Sequence, residues 1–172
     1  EDNNGNGQRD PEEKPMAEVC VSNGIEVAVT DASGSWTLPR RNASPVFVIT
    51  PAGFAPPVDA HQRPRFFRLT DTGVLPSSID FGLTPRKESE DFSFILWADP
   101  QARGMKEVNY IARDVAAELV GTKAAFGMTL GDLVADDPAL MRAVSDVAGQ
   151  AGIPWYTVMG NHDNDRHAAT DE

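Results

Sequence analysis

Six residues in this chain carry side chains suited to holding or protonating oxygen, and each lies just beyond a run of strand-forming residues. The run Trp155-Tyr-Thr-Val-Met159 stops at Gly160 and hands over Asn161, His162 and Asp163. These offer a hard amide oxygen, an imidazole able to take and give a proton and a carboxylate, and Gly160 permits the tight turn they need. Upstream, the apolar run from Phe92 to Ala98 ends in Asp99-Pro100-Gln101, and the run from Ala125 to Leu130 ends in Gly131-Asp132. Hard oxygen donors of this kind suit divalent cations, and an imidazole beside them suits proton transfer.

The elements between these runs decide whether the six can meet. Val108, Ile111, Ala112, Val115, Ala116 and Leu119 recur with the spacing of one helix face, which Gly121 ends. Asp137-Pro138 supplies an N-cap and a first-turn proline for a second helix with Leu140, Val144, Val147 and Ala148 as its buried stripe, ended by Gly152 and Pro154. Strand, helix, strand, helix, strand in that order predicts a parallel sheet with right-handed crossovers. Ligands bind beyond the carboxyl ends of such strands, which is where Asp99, Gln101, Asp132, Asn161 and His162 fall.

The first half of the chain has a different texture. Residues 1–18 are polar, with six acidic residues against Arg9 and Lys14, and are expected to be a disordered acidic leader. From Val19 short β-type runs follow one another: 19–21, then 25–30 after the hairpin signal Asn23-Gly24, then 35–38 and 46–50. The Pro-rich stretch 55–65 reads as a long loop with His61 as a solvated residue, and 65–69 and 78–83 are two further strand candidates. Together they predict an all-β antiparallel sandwich over residues 19–88, with the charged stretch 84–91 as its exit and an α/β unit over 89–172.

A hydrophobic share of 41% is enough for a core, and the formal net charge of −11 argues against a surface for nonspecific duplex nucleic acid. Bound divalent cations would reverse that sign locally and admit phosphate-bearing substrates. Cys20 is the only cysteine, so no disulfide forms within the chain. No apolar run is long enough to span a membrane. The sequence starts at Glu1, so a signal segment is not visible, and the polar leader is the kind that follows a cleaved signal in a periplasmic or extracellular protein.

Taken in order, Asp99-Pro-Gln101, Gly131-Asp132 and Gly160-Asn-His-Asp163 resemble the D-x-H or D-x-Q, G-D and G-N-H-D/E motifs of the calcineurin-like metallophosphoesterases. The resemblance covers residues 19 to about 165 and implies the first half of an α/β/β/α catalytic fold. It implies a hydrolase acting on phosphomonoesters or phosphodiesters through water activated by two divalent metal ions, drawn from Mn, Fe, Zn or Mg. By the same resemblance Asp132 bridges the metals, Asp99 and Gln101 belong to the first and Asn161 to the second. His162 then stands beside them without binding and serves the leaving oxygen. Gln101, where many members have His, weakens any preference for late transition metals. A second resemblance lies in Thr30-Asp31-Ala-Ser-Gly34-Ser-Trp36-Thr-Leu38, which is similar to the T-D-x-x-G-x-aromatic-x-L signature of carboxypeptidase-regulatory-like β-sandwich domains. Asp31 and Gly34 read as turn chemistry and Trp36 as a core aromatic.

The family also supplies three His ligands from a later segment ending in G-H-x-H, which this sequence does not contain; His167 reads as a loop residue. The chain is therefore expected to be a fragment that binds divalent ions weakly, lacks phosphoesterase turnover alone and self-associates through the uncovered face of its parallel sheet. The rival reading is a non-catalytic protein whose sandwich binds a partner or glycan beside a degenerate half-domain.

Overall fold

Asn23 and Gly24 set the register of the N-terminal sheet. Gly24 takes φ +89, and Asn23, 1% exposed, turns its Oδ1 back to accept the N–H groups of Ile25 (3.1 Å) and Glu26 (2.8 Å). This turn joins β1 (Cys20–Ser22) to β2 (Val27–Val29), antiparallel with Cys20 opposite Val29. On the other side of β1 lies β3 (Pro45–Ile49), followed by β5 (Phe67–Leu69), giving the order β2-β1-β3-β5. A separate antiparallel pair joins β4 (Phe54–Ala55) to β6 (Thr84–Pro85). The computed structural model describes residues 1–39, 41, 44–70 and 78–164, so His167 lies outside the described residues.

The chain divides into two compact units, Glu1–Val58 with Arg65–Ser89, and Asp59–Pro64 with Glu90–Glu172. In the first, the two-residue period of the strands puts Val21, Val46 and Val48 on a buried face. Val19, Val48 and Leu83 form the core there, ringed by Met16, Phe54, Phe66 and Phe81. The opposite face presents Val27, Val29, Ile49, Phe67 and Leu69, all exposed. The antiparallel character matches expectation, but among the described residues the four-stranded sheet is joined by a two-stranded pair and not by a second full sheet.

Several local expectations are corrected. Residues 35–38 and 78–83 form no strand. Asp31 instead gathers Ser33 and Ser35 in a hydrogen-bonded turn, the Asn23 amide donates to the Pro39 carbonyl (3.1 Å), and Trp36 packs on Phe81 with ring centroids 6.3 Å apart. The leader is held as well, since the Asp2 N–H donates to the Leu83 carbonyl (2.9 Å) and the Asp2 and Glu13 side chains are buried. Polar composition does not prevent order where side-chain oxygens satisfy the backbone N–H groups of their own loop.

The second unit is built on three parallel strands in the order β7 (Ile95–Trp97), β8 (Gly127–Leu130), β9 (Trp155–Val158). Trp97 and Trp155 meet edge-on at 4.7 Å, and the Trp155 indole N–H donates to buried Thr129 Oγ1 (2.9 Å). Gly127 is required there, because a Cβ would lie 2.2 Å from the Trp155 ring. The first crossover runs through α1 (Met105–Ile111), a wide π turn over Ala112–Ala116 and α2 (Ala117–Leu119). The π turn rotates the apolar face, so Val108 and Ala116 are buried while Val115, expected inward, is exposed. Asp137 caps the second crossover as its sequence suggests: its side chain accepts the Ala139 N–H (3.1 Å) ahead of α3 (Met141–Ala148).

Asp59–Pro64 packs within this unit. The Gln62 carbonyl accepts the Trp155 N–H (2.9 Å), and Arg63 bridges Asp59 (2.8 Å) and Asp146 (3.2 Å). His61 is not merely solvated, since its Nδ1 stands 3.2 Å from Asp146. The far face of the parallel sheet carries Phe94 stacked on Phe126 (5.2 Å) and Tyr156 edge-on to Phe126 (6.0 Å), with Leu96 and Val158 about half exposed beside them.

Candidate metal centre

The three strands deliver their candidate residues to one edge, and the backbone there is bent sharply to do it. Among the described residues six non-glycine positions have positive φ, and four of them, Asp99 (+59), Gln101 (+42), Asp132 (+49) and Asp136 (+62), belong to the segments that follow β7 and β8. Such conformations cost about 1–3 kcal/mol each and persist where the surrounding structure enforces them, which is most often at sites of function.

What enforces them is a second zipper beyond the sheet. The Gln101 N–H donates to the Asp132 carbonyl (2.8 Å), the Ala102 N–H to Leu133 (3.1 Å) and the Ala135 N–H back to Ala102 (3.1 Å). Ala102, Leu133 and Val134 are buried beneath it. Gly160 then lies directly on Asp132, where a Cβ would meet Oδ1 at 2.1 Å and the backbone nitrogen at 2.3 Å. Asp163, 2% exposed, clamps this turn by accepting the N–H groups of Val134 (3.1 Å) and Gly160 (2.9 Å). Its role is structural.

The site closes around Asp132 and His162. Asp132 Oδ1 accepts the His162 N–H (2.8 Å), and the Gln101 amide N–H reaches Asp132 Oδ2 at 3.4 Å. The His162 carbonyl accepts the Asp136 N–H (3.1 Å), while His162 Nδ1 lies 2.9 Å from Asp136 Oδ1. Asp136 was not singled out by sequence, because an acid four residues after G-D forms no motif; only the general need of a working imidazole for an orienting carboxylate could have flagged it. Gln101, Asp132 and His162 are thus in contact, whereas Asp99 and Asn161 stand exposed at the ends of β7 and β9.

Among the described residues no group of three or more His, Cys, Asp or Glu side chains gathers as a cage. The donor set at this edge is instead mixed, with carboxylates from Asp99 and Asp132 and amide oxygens from Gln101 and Asn161. With one N–H on Oδ1 and a long contact on Oδ2, the Asp132 carboxylate keeps lone pairs for a cation, and the Gly160 cradle holds it in place. These donors fit a hard divalent ion.

Residues 3–86 match the family described as the N terminal of calcineurin-like phosphoesterase. Those residues belong to that family. No curated protein and no solved structure matches the chain. The calcineurin-like match starts inside the polar leader and runs through β6, so the leader is part of the family domain. It carries a relationship to metallophosphoesterases, and it does not extend to the carboxypeptidase-regulatory-like resemblance. The strand ends that hold Asp99, Asp132 and His162 lie downstream of the matched residues.

Proposed function

We propose that Asp99, Gln101, Asp132 and Asn161 are oxygen donors for two divalent cations in a phosphoesterase, with Asp132 shared between them. His162 is the residue that serves the leaving oxygen. When bound, the cations would supply an activated water and neutralise phosphate charge. The observation that carries this reading is the contact of His162 with both Asp132 and Asp136: its backbone N–H is committed to Asp132 Oδ1, and its ring nitrogen to Asp136 Oδ1. A backbone tie fixes where the ring stands. The Nδ1 contact orients it beside the oxygen donors, where an imidazole can exchange a proton with substrate, work worth around 10² to 10⁴ in rate.

The reading separates ligands from the proton-transfer group. In manganese titrations of the protein, Asp132→Asn should weaken binding at least about tenfold, while His162→Ala and Asp136→Asn should leave it within about twofold. In a form of the enzyme that hydrolyses a chromogenic phosphodiester, both His162→Ala and Asp136→Asn should lower kcat, the former by about 10² or more. Loss of manganese from His162→Ala to the extent seen in Asp132→Asn would show that His162 is a ligand and refute the assignment.

A further inference from the structure

The polar leader carries a spacing that its composition conceals. Residues 2–13 read Asp2-Asn3-Asn4-Gly5-Asn6-Gly7-Gln8-Arg9-Asp10-Pro11-Glu12-Glu13, which is D-x-N-x-N-G followed by five residues and a glutamate. That is the pattern of a twelve-residue calcium loop, with side-chain oxygens at positions 1, 3 and 5 and a glycine at 6 for the sharp turn. A backbone carbonyl follows at 7, a ligand often acting through water at 9, and a glutamate at 12. Here those positions are Asp2, Asn4, Asn6, Gly7, the Gln8 carbonyl, Asp10 and Glu13. Gly7 has φ +73, as the turn demands.

The fold supplies an independent observation. Asp2 is 1% exposed and Glu13 8%, yet among the described residues no Lys, Arg or His forms an ion pair with Asp2, Asp10 or Glu13. Buried carboxylates are paired with a cation or coordinate a metal. The two oxygens of Asp2 accept the N–H groups of Asn6 (3.1 Å) and Gly7 (2.8 Å), and those of Glu13 accept Asn3 (2.9 Å) and Asp10 (2.9 Å). Each oxygen therefore takes one proton and keeps a lone pair. Asp10 Oδ2 meanwhile draws in the amides of Asn4 (2.7 Å) and Asn6 (3.0 Å). The start of the loop is pinned by the Asp2 N–H on the Leu83 carbonyl, and Gly82 leaves room for the Asp2 carboxylate, which a Cβ would meet at 2.6 Å. Among the described residues no three acidic side chains gather as a cage, as befits a loop whose ligand set is half amide and peptide oxygen.

We propose that residues 2–13 are a calcium-binding loop, with Asp2, Asn4, Asn6, the Gln8 carbonyl and Glu13 as ligands and Asp10 acting through water. It shares no residue with the edge that holds Asp132. Its many, flexible oxygen donors suit calcium over magnesium, which demands a tighter octahedron.

Calorimetric titration of calcium chloride into the 172-residue chain should show one ion bound with a dissociation constant between about 10⁻⁵ and 10⁻³ M. Glu13→Gln and Asn4→Ala should each weaken binding, the former at least tenfold, and Asp114→Asn, an exposed acid outside both sites, should not change it. Asn4 is exposed, so its variant keeps the test valid if Glu13→Gln misfolds. Calcium at 10 mM should also raise the Tm of the wild type and not of Glu13→Gln, with magnesium giving a much smaller rise. Absence of both heat and a Tm shift at 10 mM calcium would overturn the proposal. So would binding that survives Glu13→Gln and Asn4→Ala but is lost in Asp132→Asn, which would place the ion at the sheet edge.

Discussion

Gly160→Ala is the sharpest probe of how tightly the turn after β9 lies on Asp132. The added Cβ would stand 2.1 Å from Asp132 Oδ1 and 2.3 Å from its backbone nitrogen. Rotating the carboxylate could relieve the first contact. The second cannot be relieved without moving Gly131, which already sits so close that a Cβ there would meet the Gly160 Cα at 2.9 Å. Overpacking of this kind costs about 1–3 kcal/mol, and pushing the turn away also weakens the His162 N–H bond to a charged oxygen, about 1.5–3 kcal/mol. The combined loss is about 2.5–6 kcal/mol. For a unit of roughly 100 residues each kcal/mol moves Tm by about 4–8 °C, so a fall of at least ~10 °C is expected. Thermal unfolding followed by tryptophan fluorescence reads this unit directly, because Trp97 and Trp155 form its core. Gly104→Ala is the control, with open space around the new Cβ and an N-cap cost of no more than about 1 kcal/mol. A Gly160→Ala protein that melts with the control would show that the turn has slack and that Asp132 is not cradled as described.

Two further outcomes follow from local chemistry. Burial raises the Asp59 carboxyl, but the Arg63 and His61 N–H groups and the Arg63 guanidinium outweigh it and hold the group below its ordinary value of 3.8. Its contribution is therefore present above about pH 4 and is lost as pH falls through the depressed value, so Asp59→Asn should destabilise at pH 6 and the gap from wild type should narrow as pH falls below about 4, checked by urea unfolding across that range. Trp155→Phe removes the hydrogen bond that buried Thr129 Oγ1 accepts and should cost about 1–3 kcal/mol, whereas adding Thr129→Val should recover part of the loss in a double-mutant comparison.

The parallel half of the fold was legible because its signals are local and redundant. Periodicity, the Asp137-Pro138 cap and the glycines at strand ends all point the same way. Val115 was misplaced because a π turn leaves no mark in apolar spacing. The antiparallel half was legible at Asn23-Gly24, where turn chemistry dictates register, and not at 35–38 or 78–83, where β-type residues pair with no strand among the described residues. At the candidate site the strand-end residues could be named from motif and order, while Asp136 and the clamp made by Asp163 are products of tertiary contact. The leader was misjudged for another reason. Asp2, Asn4, Asn6 and Glu13 lower the mean hydropathy as a tail would, and only their spacing distinguishes a folded loop from a solvated one.

The six residues Asp59–Pro64 make the second unit discontinuous in sequence. Cutting at the charged stretch 84–91, where composition changes, would yield a C-terminal piece whose β9 has lost the carbonyl that caps Trp155 and whose Asp146 has lost Arg63. Exchange of the N-terminal half for an unrelated one would remove the same residues. A cut at that point thereby costs the second unit part of its own hydrogen bonding and its Arg63–Asp146 pair.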